Sequence, residues 1–337
     1  MPIALDAMGG DYYPRVPVEA ALLAVSEGTS VVLVGDEKAL KKELQGKRYD
    51  AAKLVIHHAS EVIEMHEPIV KAMRTKKDAS MRVCYDLHKA GEVAGVVSAG
   101  SSGAMLAIGK FVLKTLPGVD RPCISALMPS LKGKLLLVDA GANMDCDPAH
   151  LVQFAALGEI YMRVIHQIPS PRVALLNIGS EEGKGDERSK KAFELIKLLP
   201  INFIGNLEGK EFFDGNADVV VCDGFSGNVL LKSVQGAAKF MMGVLKEEIK
   251  KSKRSMLGAA MMKPAFNALK ARSSYQNFGG APLLGLNGVG VVCHGSSDAT
   301  AIHFGIQFAH WADKAHLVQQ MTDSLQAAQQ VLNPQAS

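Results

Sequence analysis

No window of about 18 apolar residues occurs anywhere in this sequence, so a membrane-spanning helix is not expected. Nor is there an internal repeat or a Pro/Gly/Ser linker, which argues against separate domains on a string. Cysteine is sparse. The five present (Cys84, Cys123, Cys146, Cys222 and Cys293) are odd in number, scattered and never spaced C-x-x-C, so neither a disulfide framework nor a zinc knuckle is indicated. A reducing cytosol is the natural compartment. The first residues, Met-Pro-Ile-Ala-Leu-Asp, lack the basic and apolar segments of a secretory leader. An excess of one charge is missing too: 37 Lys and Arg stand against 34 Asp and Glu, a net +3 that excludes a nucleic-acid binder over the whole surface.

Two nucleotide motifs are also absent. Gly179-Ser-Glu-Glu-Gly-Lys184-Gly185 has three residues between its first glycine and the Gly-Lys pair, with no Ser or Thr after the lysine, so it misses the spacing of an ATP phosphate loop. No G-x-G-x-x-G follows the first apolar run. Asp6-Ala-Met-Gly-Gly-Asp11 carries carboxylates where a dinucleotide pyrophosphate would be repelled. Neither ATP nor NAD is expected in its usual mode.

What is present is an ordinary globular composition, 48% hydrophobic and 21% charged over 337 residues. A chain of that length buries roughly 75% of the surface its unfolded form exposes, enough for a large core without staples. Short apolar runs recur at 3–5, 31–34, 54–56, 96–97, 135–138, 173–178, 219–221 and 289–292, and helical spacing fills the intervals, as in Leu151 to Ile165. Strand alternating with helix predicts a doubly wound α/β/α sandwich with a mostly parallel sheet, one continuous unit over 1–337. Asp147-Pro148 marks one helix start, and Ser226 and Ser297 precede two more.

Residues 239–272 differ in character. Nine basic residues face two acidic ones, a local +7 that leaves the rest of the chain at about −4. Interleaved Phe240, Met241, Met242, Met256, Met261, Met262 and Phe266 suggest two amphipathic helices joined near Ser252–Ser255, a protruding hairpin suited to a partner subunit or an interface.

In an open parallel sheet, ligands gather beyond the carboxyl ends of the strands. The segments there are rich in glycine and small polar residues: 6–11, 98–103, 139–143, 177–185, 205–209, 223–228 and 294–297. Seven such loops suggest backbone amides brought close to an anion. Asp139, Asp145 and Asp147 are better explained as strand-end and capping residues than as metal ligands. His57, His58, His303 and His310 read as structural. His294, at a strand end before Gly-Ser-Ser, and Lys184, between two glycines, are candidates to line the site; Lys232 follows Asn228 by one helical turn.

Taken in order, DAMGGD (6–11), SAGSSGAM (98–105), LLVDAGANMDCDP (136–148), LLNIGSEEGKG (175–185), FIGNLEG (203–209), VVVCDGFSGNVLLK (219–232), GGAPLLGLNG (279–288) and HGSS (294–297) closely resemble the phosphate acyltransferase family of bacterial phospholipid synthesis. The family usually shows Asn-Thr where Ser101-Ser102 stand and a serine pair near Ala79-Ser80. The resemblance implies acyl transfer from acyl-[acyl carrier protein] to inorganic phosphate without cofactor or metal. It also implies a homodimer and a fold related to phosphotransacetylases and isocitrate dehydrogenases. Phosphate is already nucleophilic, so positioning and charge compensation matter more than a strong base. On that reading Ser98, Gly100, Ser101, Ser102 and Gly103 hold phosphate together with Asn228, beside Asn143, Gly227 and Lys232. Lys184 offsets its charge, and His294 or a backbone N–H stabilises the thioester oxygen. No Ser-His-Asp or Cys-His set is evident, which favours direct transfer. Lys246, Lys250, Lys251, Lys253 and Arg254 then steer the acidic carrier or meet anionic lipid, with Met261 and Met262 at the interface. A transacylase using acyl-CoA and a non-catalytic carrier- or lipid-binding module are the competing readings.

Overall fold

The computed structural model describes residues 1–273 and 280–332, with the backbone alone described at 270–273, 327–328 and 331–332. The side chains of Lys270 and Arg272, and Gly279, therefore lie outside the described residues. In chain order the strands are β1 (Ile3–Asp6), β2 (Val31–Gly35), β3 (Leu54–His58), β4 (Gly95–Ser98), β5 (Cys123–Ser130), β6 (Gly133–Val138), β7 (Val173–Asn177), β8 (Phe203–Glu208), β9 (Val219–Val221), β10 (Ala281–Leu284) and β11 (Gly290–Val292). The α-helices are α1 (Arg15–Ser26), α2 (Glu37–Leu44), α3 (Ile69–Thr75), α4 (Ser80–Lys89), α5 (Ser102–Leu113), α6 (Pro148–Ile165), α7 (Glu187–Ile196), α8 (Gly224–Lys250), α9 (Lys253–Met261), α10 (Lys263–Ser273), α11 (Ala299–Lys314) and α12 (Leu317–Leu332).

All eleven strands join one sheet, in the order β3-β2-β1-β4-β11-β10-β5-β6-β9-β7-β8. Pairing is parallel from β3 to β11 and again from β6 to β8, while β10 and β5 run against their neighbours and splice the two halves. Runs such as Val31–Val34, Leu135–Val138 and Val219–Val221 form strands because both sheet faces are covered, so uninterrupted apolar sequence is tolerated. One core cluster packs α1, α2, α6, α7, α11 and α12 on one face across both halves. On the other face, α3, α4 and α5 cover the first half. Leu230, Leu231 and Val234 from the first turns of α8 cover the second.

Three strands escape the apolar-run reading. In β5, Ser125, Pro129 and Ser130 interrupt the run; Pro129 is tolerated because β10 pairs only with Cys123 and Ile124, so no ladder partner is lost there. β8 lies at the sheet edge with Gly205 at φ +97° and a shifted register against β7. β10 spans only four residues, Ala281–Leu284. The helix caps also differ from expectation: Asp223 and Asp298, not Ser226 and Ser297, accept the first-turn N–H groups of α8 and α11, at 2.9 Å each.

The basic stretch begins earlier than its charge suggests. α8 runs 27 residues from the Asp223 cap, so the expected first helix of the hairpin is the outer part of a helix that starts at the sheet. Ser252 then caps α9 by accepting from the Ser255 N–H (3.0 Å), and the expected second helix divides at Met262 into α9 and α10. No side chain described between 236 and 269 is buried, and Phe240 and Met261 are 71% and 77% exposed. The arm leaves its apolar residues uncovered.

Inside the core, the Tyr85 hydroxyl is buried with no hydrogen-bond partner among the described residues. A Cβ at either Gly109 or Gly290 would come within 3.0 Å of that oxygen, so both glycines make room for it. Tyr85→Phe removes an unpaired polar atom, and the unfolding free energy in urea is expected to rise by about 1 kcal/mol. A loss instead would show that the hydroxyl is paired in solution.

Candidate active site

Two fully buried carboxylates organise the glycine loops, one in each half of the sheet. At the end of β1, Asp6 accepts from the Ser98 hydroxyl (2.6 Å), the Ser80 hydroxyl (2.7 Å) and the Met8 N–H (3.2 Å). Ser98 Oγ in turn accepts from the Gly100 N–H (3.0 Å), which sets the turn into α5. A Cβ on Gly9 would stand 2.7 Å from Asp6 and 2.8 Å from the Gly100 nitrogen, so only glycine lets these two loops stack. The turn after β11 completes this group: the Gly295 carbonyl accepts from the Asp11 N–H (2.8 Å).

In the other half, Asp139 follows β6. Its Oδ1 accepts from the N–H groups of Ile124, Gly141 and Ala142 at 3.0–3.1 Å, and its Oδ2 from the N–H (2.7 Å) and side-chain amide (2.9 Å) of Asn143. Burial raises this carboxyl above the ordinary aspartate range, with the donors opposing it. Every neighbour offers a proton, so the cage fits the ionised form. The caged loop then receives the start of α8. The Gly224 N–H donates to the Asn143 carbonyl (2.7 Å), and a Cβ on Gly227 would overlap the Asp139 carbonyl. Asp223, the α8 cap, also accepts from Arg188 Nη2 (3.0 Å), whose own Nε is buried without a partner among the described residues.

Between the halves lies a cleft of about 410 Å³. One wall is α5, where Ser102, Gly103, Leu106, Ala107 and Lys110 repeat at i, i+4 spacing; the other carries Arg121, Pro122, Ile124 and the loop Gly141–Asn143, with Ile69 of α3 at the side. Ser101 caps α5 through the Ala104 N–H (3.4 Å), so the Ser102 and Gly103 N–H groups have no partner among the described residues. They open on the cleft at the positive end of the helix. The Asn228 side chain stands beside Gly141, 3.4–3.6 Å from where a Cβ would be, and bonds no described residue. Unpaired N–H groups, a free amide and an apolar wall thus meet in one space.

Of the residues singled out by sequence, Ser102, Gly103 and Asn143 line this cleft, and Asn228 borders it. Ser98 and Gly100 are buried beneath it, and Ser101 serves as a cap. Asn143 spends both amide protons on Pro122 and Asp139, which makes it a loop-positioning residue rather than a phosphate ligand. Gly227 acts by its lack of a side chain. Lys184, Lys232 and His294 are exposed and none lines the cleft: Lys184 lies along Gly179 of its own loop, and His294 bonds Ser296 (2.8 Å). The cations that do line it, Lys110 and Arg121, went unnoticed. Lys110 had a signal, since it continues the helical stripe that starts at Ser102. Arg121 had none, because it precedes the unrecognised β5.

The five thiols are buried, and burial raises each of their pKa values, Cys146 to about 11 and Cys293 to about 12, so none is a thiolate near neutral pH. Asp6 is also raised by burial, against the hydrogen bonds from Ser98, Ser80 and Met8. Its folded form therefore holds a proton more tightly than its unfolded form. The contribution of Asp6 to stability falls as pH rises from about 3.9 to that higher value. Asp6→Asn is expected to flatten that fall, by up to about 1.4 kcal/mol for each pH unit of the window. Urea unfolding of both proteins from about pH 4 upward measures it, and a wild-type advantage that grows with pH would reverse the sign.

Known proteins share this architecture. A family model described as "Fatty acid synthesis protein" matches residues 1–320. A phosphate acyltransferase of Geobacter sulfurreducens is 47% identical over 311 residues, 92% of this chain and 90% of that protein. Another, of Citrifermentans bemidjiense, is 49% identical over 313 residues, 92% of this chain and 88% of its own length. Among solved structures, a phosphotransacetylase from Streptococcus pyogenes superposes with a TM-score of 0.58 at 17% identity, covering 96% of this chain and 94% of that one, a likeness of fold. Matches of this extent and identity show that the chain is an enzyme belonging to the phosphate acyltransferase family of fatty acid synthesis proteins.

Proposed function

We propose that the enzyme transfers a long-chain fatty acyl group from acyl-[acyl carrier protein] to inorganic phosphate, giving acyl phosphate for phosphatidic acid synthesis. The observation that carries this reading is the cleft, with unpaired N–H groups at the start of α5 facing an apolar wall. Phosphate sits at the Ser102 and Gly103 amides, where the helix end compensates its charge, and the Asn228 amide fixes its orientation. The acyl chain lies along Ile69, Leu106 and Ile124. A phosphate oxygen attacks the thioester carbonyl carbon; the C–O bond forms, the C–S bond breaks, and the carrier thiolate leaves and takes a proton from water. Buried, protonated thiols offer no competing nucleophile, which supports direct transfer.

The arm serves assembly and location. A second copy of the chain covers the exposed apolar residues of α8, and anionic lipid receives Lys250, Lys251, Lys253 and Arg254 at its tip with Met261 and Met262. Among the described residues no helix is long and apolar enough to cross a membrane.

Purified enzyme is expected to release free carrier from long-chain acyl carrier protein only when phosphate is added, with acyl phosphate as product. Equal turnover of acyl-CoA would favour the transacylase reading, and release without phosphate would overturn transfer to phosphate. Asn228→Ala is expected to lower kcat/KM for phosphate about ten- to a hundred-fold, read from initial rates. Replacing Lys250, Lys251, Lys253 and Arg254 together by Glu should abolish sedimentation with anionic vesicles. Unchanged sedimentation accompanied by a raised KM for the carrier would assign those residues to carrier steering.

A further inference from the structure

Two cations border the cleft and take no part in the transfer described above. Lys110 Nζ donates to the Asp120 carbonyl (3.0 Å), and the Arg121 guanidinium donates to the Asp145 carbonyl (2.5 Å). Carbonyl oxygens are neutral, so these bonds aim the cations without cancelling their charge. The nearest carboxylate, Asp120, lies 4.0 Å from Arg121 Nε and is already bonded to His150 Nε2 at 2.6 Å. His150 Nδ1 accepts from the Asp147 N–H (2.8 Å), so Nε2 carries the proton given to Asp120. Just past the end of α5, Lys114 stands 5.3 Å over the exposed Phe111 ring.

Lys110 follows Ser102 by eight residues, a backbone rise of about 12 Å, and its Nζ is turned to the Asp120 carbonyl, while Arg121 stands on the other wall, held to the Asp145 carbonyl. The cleft thus carries two groups able to receive an anion, the N–H groups at the start of α5 and this pair of cations. A carrier-borne thioester brings a second one with it, because the thiol arm of acyl carrier protein is joined through a phosphodiester. Resting on the carrier-protein reading above, we infer that Lys110 and Arg121 form a receptor for a phosphate oxyanion, that of the substrate arm and not the attacking inorganic phosphate. The receptor fixes how far the arm enters, and so where along the apolar wall the thioester carbonyl comes to rest. The planar guanidinium meets two oxygens of the diester, and the ammonium adds a point charge.

The test compares donors with and without the phosphate group of the arm. Long-chain acyl-phosphopantetheine and acyl-pantetheine are assayed with wild type, Lys110→Met, Arg121→Met and the double variant, at varied inorganic phosphate. The kcat/KM preference for the phosphorylated donor is expected to fall about ten- to a hundred-fold in the double variant, with Arg121→Lys retaining part of it. Calorimetry with phosphopantetheine and pantetheine should show the same loss confined to the phosphorylated ligand. A raised KM for inorganic phosphate with both donors would place the attacking phosphate at these cations and overturn the proposal. Equal losses with both donors would reduce the pair to a structural role and overturn it too. Should wild type turn over no donor with phosphate, the transfer reading fails by itself, and the calorimetric comparison still decides whether the receptor exists.

Discussion

The cage around Asp139 is the constraint on which the rest of the site depends. Five N–H donors converge on one buried carboxylate, and this convergence shapes residues 139–143 into the loop that both walls one side of the cleft and seats the start of α8. Gly224 and Gly227 exist at that junction because any side chain would strike the loop backbone. Asp6 does the same for the opposite wall with two hydroxyls and one backbone N–H as donors, holding Ser98 and through it the turn into α5. Neither carboxylate faces the cleft. Their work is to fix loops whose own backbone groups are left free for a ligand.

In the proposed transfer the anion site is built from one helix end, and such a site differs from one built from lysines. Its partial charges are fixed before phosphate arrives, so little reorganisation accompanies attack. It also draws less strongly than a cluster of full charges, which suits a nucleophile that must remain reactive and a product that must leave. The full charges stand elsewhere on the cleft lining, Lys110 two turns along α5 and Arg121 on the other wall.

Much of the fold was legible because parallel strands covered on both faces write themselves as apolar runs, as at Val31–Val34 and Val219–Val221. Interruptions hid β5, β8 and β10, each for a local reason: a proline beyond the reach of β10, a glycine at the edge, and a length of four residues. The glycine loops lie at the carboxyl ends of the strands, and of the residues read from them Ser102 and Gly103 line the cleft and Asn228 borders it. Lys184, Lys232 and His294 do not, because a strand-end loop fixes proximity to the sheet edge but not which neighbour it leans toward. That choice is made by long-range packing, here by α5 crossing to meet the loop after β6. Arg121 is placed on the cleft only through that packing, whereas Lys110 is marked in the sequence by its helical spacing from Ser102.

The splice in the middle of the sheet has a consequence for how the chain is made. β4 must wait for β11, and β5 for β10, and both late strands follow the whole arm in sequence. During synthesis the N-terminal half therefore emerges with an open parallel edge at β4, and it stays open until nearly 300 residues have been translated. Closure joins segments of very high sequence separation, the slowest kind of pairing to form. The nascent chain thus carries an edge open to edge-to-edge association for most of its time on the ribosome.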